Sequence, residues 1–293
     1  MTSPRPAAAR KWLILVILLA VSAIAGCALG VRSFFDEDRN PVQRFGVTEP
    51  LPATRLEVDA TVQAIDAVRG FMKVELDFRA RGELAEANGR TLARDVHLLT
   101  DSAQGARELL LKKHHPAHAA ELTLSLLDGD VALYPIDRYN ALLQLEAYVD
   151  LGGEDEAPVP LVVNFVARNH ALHAEAAQAP GDGPGRLDLQ IRLQRPTAVQ
   201  GFAWFMNSLM VLIALSAAIV VYNVAWRGKK PEPGLMIWIS ALLFVLPTIR
   251  NMLPGAPPLG SLTDFLVFFW VEGVIAVCLF IMVLFWYRKA VAD

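Results

Sequence analysis

Leu187-Asp188-Leu189-Gln190-Ile191-Arg192-Leu193 alternates apolar and polar residues without a break, and Arg195-Pro196 separates it from the apolar run Phe202–Trp226. A period of two places Leu187, Leu189, Ile191 and Leu193 on one face of a strand, with the polar residues on the other. A run of about 20 apolar residues is what a helix needs to cross a bilayer. The chain therefore passes from a half-buried strand to a membrane span within one short stretch, and the rest of the sequence divides at that point.

Upstream, the period-two pattern recurs in Leu56–Val62, Phe71–Phe78, Leu122–Leu126, Leu142–Val149 and Val159–Val166. With Leu92–Leu99 and Ala171–Ala176 it predicts about eight strands separated by Gly, Pro and Asp turns. That is the signature of an all-β antiparallel sandwich. Two inserts read as plain loops, Gly152–Glu156 and Ala179–Gly185. Phe34–Pro52, acidic and with three prolines, reads as a tether leading into the sandwich.

Four apolar runs are candidate spans: Trp12–Val31, Phe202–Trp226, Leu235–Leu253 and Phe265–Tyr287. Pro247 and Arg250 interrupt the third, and the proline predicts a kink. The predicted organisation is a cytoplasmic tail at 1–11, a transmembrane helix at 12–31, an extracytoplasmic sandwich with its tether at 32–200, and a three-helix transmembrane region at 201–289. Its helices are 202–226, 235–253 and 265–287. Orientation follows from Lys and Arg in the short flanks. With both termini cytoplasmic, Arg5, Arg10, Lys11, Arg227, Lys229, Lys230, Arg288 and Lys289 fall inside and Arg250 alone outside. Trp12, Trp226, Trp286 and Tyr287 then form an aromatic belt at the inner ends. The start of the chain has a rival reading, because Ile24-Ala25-Gly26-Cys27 is similar to a bacterial lipoprotein signal with Cys27 as the lipidated residue. The apolar run continues to Val31, a full span, which favours an uncleaved helix.

The composition fits: 54% of residues are apolar and 19% charged, against about 25% charged in soluble domains. Residues 32–200 hold 18 Lys+Arg against 26 Asp+Glu. An acidic outer portion argues against nucleic acid as a partner, since phosphate contacts need a basic surface. The two cysteines, Cys27 and Cys278, both lie in apolar runs and offer neither a disulfide framework nor a zinc site. His114, His115 and His118 cluster after Lys112-Lys113, but no completing ligand is near in sequence, and a solvated turn around Pro116 accounts for them. His170 and His173 fall on opposite faces of their strand. No nucleophile elbow, phosphate loop or zinc-protease motif occurs. The expectation is a non-enzymatic protein without cofactor or metal, whose partners are the lipid bilayer and other membrane or envelope proteins. Its oligomeric state stays open.

Two places concentrate candidate residues. Tyr134-Pro135-Ile136-Asp137-Arg138-Tyr139 follows Asp128-Gly129-Asp130 and reads as a corner that pins two strands. Pro135 forces an extended approach, and Asp137 is placed to accept backbone hydrogen bonds across the turn. The second place is in the membrane. Arg250 and Asp264 lie at the outer ends of neighbouring spans, with water expected to solvate Asp264. Glu272 lies eight residues further in, about 12 Å at 1.5 Å per residue. A carboxylate at that depth needs a partner inside the bundle and is a functional candidate by default. The expected arrangement pairs Arg250 with Asp264 and leaves Glu272 protonated or bonded to polar groups such as Asn207.

The whole chain resembles a bacterial membrane-protein family, common in actinobacteria, catalogued as domain of unknown function 4436. The resemblance rests on Tyr134–Tyr139, on Leu243–Asn251 continuing through Pro254–Gly260, and on Asp264–Leu266 with Phe268–Glu272. It implies no activity. A more distant likeness is to pentameric ligand-gated channels, through the aromatic-Pro-x-Asp turn Tyr134–Asp137 and the Arg195-Pro196 junction. That likeness implies ion conduction, with Leu235–Leu253 lining a pore. The sequence departs from it in lacking paired cysteines around the turn, in having three spans after the sandwich, and in offering Ser240 and Thr248 but no charged ring. An envelope enzyme is the third reading.

Overall fold

The computed structural model describes residues 42–292 apart from 47–49, 87–90, 104, 152–155, 168–171, 180–182, 184 and 231. The apolar run at 12–31 and Cys27 lie outside the described residues, as do most of the tether and His170. The chain divides into two compact units, one built from 40–196 with 257–262, the other from the helices that follow.

The first unit contains eleven described strands in two sheets: β1 (Gln43–Phe45), β2 (Arg55–Asp66), β3 (Phe71–Arg81), β4 (Val96–Ser102), β5 (Gly105–Leu111), β6 (Ala120–Ser125), β7 (Arg138–Asp150), β8 (Glu156–Pro158), β9 (Leu161–Ala167), β10 (His173–Gln178) and β11 (Arg186–Gln194). One sheet runs β1-β9-β2-β3-β6 and the other β10-β11-β7-β4-β5, with β8 added beside β7. The alternating faces read from the sequence are the inner faces. Val58 and Ala60, Val74 and Leu76, Leu143 and Leu145, Leu189 and Ile191 all belong to one buried core between the sheets. At about 25 cal/mol per Å² of apolar area removed from water, this core is the main stabilising term of the unit.

Three expectations are corrected here. The sheets are not wholly antiparallel, because β2 pairs with β9 in parallel, Leu56 opposite Leu161 through Val62 opposite Ala167. The tether contains a strand: β1 pairs antiparallel with β9, Gln43 opposite Phe165. Gly46, which ends it, has a φ of +73°, and a Cβ there would meet the Leu161 carbonyl oxygen at 2.2 Å. Only glycine permits that approach. Finally, Gly105–Leu111 is a strand that the pattern does not announce, since every residue from Gly105 to Glu108 is exposed. It lies at a sheet edge, and only its end, at Leu109 and Leu111, reaches the core.

The second unit holds three helices long and apolar enough to cross a membrane. They are α1 (Thr197–Ala225), α2 (Pro233–Asn251) and α3 (Phe269–Ala292), the last preceded by a single π-helical turn at Asp264–Phe268. Both α1 and α2 begin a few residues earlier than the apolar runs suggest, and α2 continues through Pro247 to Asn251. Met210, Ala214, Ala217 and Val221 of α1, Ile239 and Leu246 of α2, and Val271, Ile275 and Met282 of α3 form a buried seam at helical spacing. Alanines in that seam let the backbones approach, as helix packing within a bilayer requires. The outer faces stay apolar: Phe244 is 77% exposed, Trp270 72% and Ile237 70%. So much exposed aromatic and aliphatic surface suits lipid rather than water.

Candidate functional site

The corner at residues 128–139 is built by local turn chemistry. Asp130 accepts the Ala132 N–H at 2.8 Å and starts a short 3-10 turn at Val131–Leu133. Tyr134 and Pro135 follow, both buried and joined by a cis peptide bond, while Ile136 and Arg138 face outward. Gly129 lies against the Tyr139 ring so closely that a Cβ would fall 1.9 Å from it. Tyr139 then opens β7.

Asp137 does not bond the backbone as the sequence led us to expect. Its carboxylate takes side-chain donors instead: Arg195 Nε lies 3.0 and 3.1 Å from the two oxygens, and the Tyr139 hydroxyl donates to Oδ2 at 2.8 Å. The Arg195 guanidinium also sits 5.1 Å from the centre of the Tyr134 ring, within cation–π range. Asp137 is fully buried and Arg195 only 4% exposed. Burial, together with the Asp137 carboxylate that its hydroxyl binds, holds the Tyr139 phenol well above the ordinary tyrosine pKa. The two buried charges, Asp137 and Arg195, are matched inside the protein. Chemically the corner is a clamp between the start of β7 and the end of β11.

Arg195 is the residue that the sequence reading did not place at the corner, yet a signal exists. Leu187, Leu189, Ile191 and Leu193 are the buried positions of β11, and Arg195 continues their parity. Asp137 likewise precedes Tyr139, Ala141 and Leu143 on the buried parity of β7. The ladder pairs Leu193 with Tyr139, so its next inward rung would set Arg195 opposite Asp137. Two opposite charges on inward positions of neighbouring strands have to meet.

The membrane candidates lie in the helical unit. Arg250, in the last turn of α2, binds Asp264 through two parallel bonds, Nε to Oδ1 at 2.8 Å and a terminal nitrogen to Oδ2 at 2.7 Å. Their pairing follows the reading from shared level, but the solvation does not. Asp264 is fully buried, with the Arg250 guanidinium against its carboxylate. Of the two alternatives for Glu272, the bond to Asn207 is not made: neither the Glu272 Oε2 nor the Asn207 Oδ1 has a hydrogen-bond partner among the described residues, although both atoms are buried. The Asn207 amide donates to Ala203 O at 2.8 Å on its own helix. Asn207 and Glu272 thus do not bond each other.

The remaining candidates are quieter. The His114 imidazole meets the Glu86 carboxylate, and His115 Nδ1 lies 2.9 Å from the Lys113 carbonyl. Among the described residues no three His, Cys, Asp or Glu side chains converge as a metal site. On α2 the Ser240 and Thr248 hydroxyls donate to Ile237 O and Phe244 O of the same helix, each at 2.9 Å.

Comparison with known families follows the two units. The model of the domain of unknown function DUF8686 matches residues 195–289, from Arg195 through the helices. No curated protein matches the chain. The model of the domain of unknown function DUF4436 matches residues 47–193, half of the chain and nearly all of the sandwich that carries the Tyr134–Tyr139 corner, and the chain belongs to that family.

Proposed function

We propose that this is a multi-pass plasma-membrane protein that works by assembly, with its β-sandwich outside the cell as a binding module and no reaction of its own. The observation that carries the reading is the pair of buried, unpartnered acceptors, Glu272 Oε2 and Asn207 Oδ1, in the apolar helices. In hydrocarbon such atoms are costly unless a donor reaches them, and interhelical hydrogen bonds are the usual remedy. A donor from a further helix would complete them, supplied by the apolar run at 12–31 or by another protein; we take the second source, which makes this protein a subunit. The orientation is supported by the distribution of basic residues. Arg250, at the outer end of α2, is neutralised by Asp264, whereas Arg227, Lys229 and Lys230 stand exposed at the other end.

Purification in mild detergent tests the reading. Glu272→Gln keeps a hydrogen-bonding group and should co-elute with the same proteins, or at the same oligomeric mass, as the parent. Glu272→Leu should lose that association while remaining folded. A parent that elutes as a lone monomer, or a leucine variant that keeps every partner, would overturn it.

A second reading, ion conduction, is favoured by one observation. The two features behind the channel likeness, the Tyr134–Asp137 turn and Arg195, are in direct contact. Ion flux across liposomes containing the purified protein separates the two readings.

A further inference from the structure

Between the end of α1 and the start of α2 lies a cavity of about 430 Å³, lined by Val220, Asn223, Val224, Lys229, Lys230, Glu232 and Leu235. This volume falls within the roughly 300–1,000 Å³ of small-ligand sites. We propose that it binds the head group of an anionic phospholipid, with Lys229 and Lys230 on the phosphate and Val220, Val224 and Leu235 against the glycerol and first acyl carbons.

Three observations converge on it. The lining is mostly apolar where the helices make it, with Val220, Val224 and Leu235 beside the one amide of Asn223, and charged where the loop makes it, with Lys229, Lys230 and Glu232. Neither lysine has an ion pair among the described residues, although Glu232 lies in the same wall, so the site keeps an excess of one positive charge. Glu232 does not cap α2 with its side chain, which leaves the positive end of that helix beside the cavity. The carbonyl end of α1 acts in the opposite sense. The Lys229 N–H bonds the Asn223 carbonyl at 3.4 Å, which blunts it.

The level is right as well. Tyr222 and Trp226 stack at 5.5 Å on the last turn of α1, both more than half exposed. Exposed Tyr and Trp at the end of an apolar helix mark the head-group layer. Basic pockets at that level between helices are where acidic lipid heads are held. The inference requires only that α1 and α2 lie in a bilayer. It depends neither on which end is cytoplasmic nor on the assembly proposed above.

Native mass spectrometry of the purified full-length protein, with phosphatidylglycerol or phosphatidylcholine added in equal amounts, tests it. The parent should retain phosphatidylglycerol preferentially, and inorganic phosphate in excess should not displace it. The double variant Lys229→Gln with Lys230→Gln should lose that preference by at least about tenfold, as two juxtamembrane cations would. Glu232→Gln should strengthen it. Val220→Trp should abolish retention with both lysines intact, because the indole fills the space. Equal retention of the two lipids by the parent, an unchanged preference in the double variant, or displacement by free phosphate would each sink the proposal.

Discussion

Asp137 and Asp264 are both fully buried and both face an arginine, yet the two carboxylates are served differently. In the sandwich one nitrogen of Arg195 spans both oxygens, and the Tyr139 hydroxyl and Tyr134 ring complete the set. In the helices Arg250 meets Asp264 fork to fork. The first pair joins residues 58 apart in sequence, the second residues 14 apart. The contrast teaches that the cost of a buried ion pair depends on its reference state. Unfolding the sandwich returns both charges to water, so a lone survivor in the fold is heavily penalised. Helices separated within a bilayer keep much of their environment, and a cation near a helix end can reach the interface.

The largest expected effect is therefore in the sandwich. Asp137→Ala strands Arg195 and the Tyr139 hydroxyl, and should lower the stability of that unit by about 3–5 kcal/mol. Denaturant unfolding of the purified protein, followed through its β-sheet signal, measures it. Removing Arg195 as well, by Asp137→Leu with Arg195→Met, should recover most of the loss. If the double variant is no better than the single one, the pair is not what the corner depends on.

Asp264→Ala should cost less, about 1–2 kcal/mol, since interhelical polar contacts in bilayers are worth roughly that. A thermal melt of the helical signal in detergent reads it. A loss equal to that of Asp137→Ala would erase the contrast between the two environments.

The smallest effect sharpens the comparison from the donor side. Tyr139→Phe removes one bond to Asp137 and should cost about 1 kcal/mol at neutral pH. Because the folded phenol is held above its ordinary value of about 10, folding favours the protonated form. Its contribution is complete below pH 10. Above that, the unfolded chain releases the proton first, and stability falls as pH rises toward the folded value. The parent should thus lose stability more steeply than the phenylalanine variant between pH 10 and 11. Equal slopes would mean that Tyr139 ionises freely.

Much of this was readable from sequence wherever the period of two had a core to obey. Leu142–Val149 and Leu187–Leu193 predicted strands because alternate residues had to be buried. β5 escaped, since an edge strand whose first four residues are exposed on both faces leaves no alternation there. The parallel pairing of β2 with β9 escaped for a different reason. Local patterning determines which face of a strand is buried, but the choice of partner belongs to the packed domain. Within the site, Arg250 and Asp264 were found because a charge in an apolar run stands out. Arg195 was read only as part of the junction before the helices, whereas its parity with Leu193 already placed it inside. Nothing in the pattern around Glu272 indicated that Asn207 would turn its amide to its own helix.

The parallel pairing has a consequence for how the domain comes into being. β2 ends at Asp66, and its neighbour β9 begins only at Leu161, some hundred residues later in synthesis. Until then the hairpin of β2 and β3 presents one open edge, with Leu56, Val58 and Ala60 uncovered beside it. Contacts this distant along the chain must wait for loop closure, which makes such folds slow. The nascent domain therefore passes through an interval in which an unpaired edge is its most exposed feature, and aggregation competes with folding until residues 161–167 arrive.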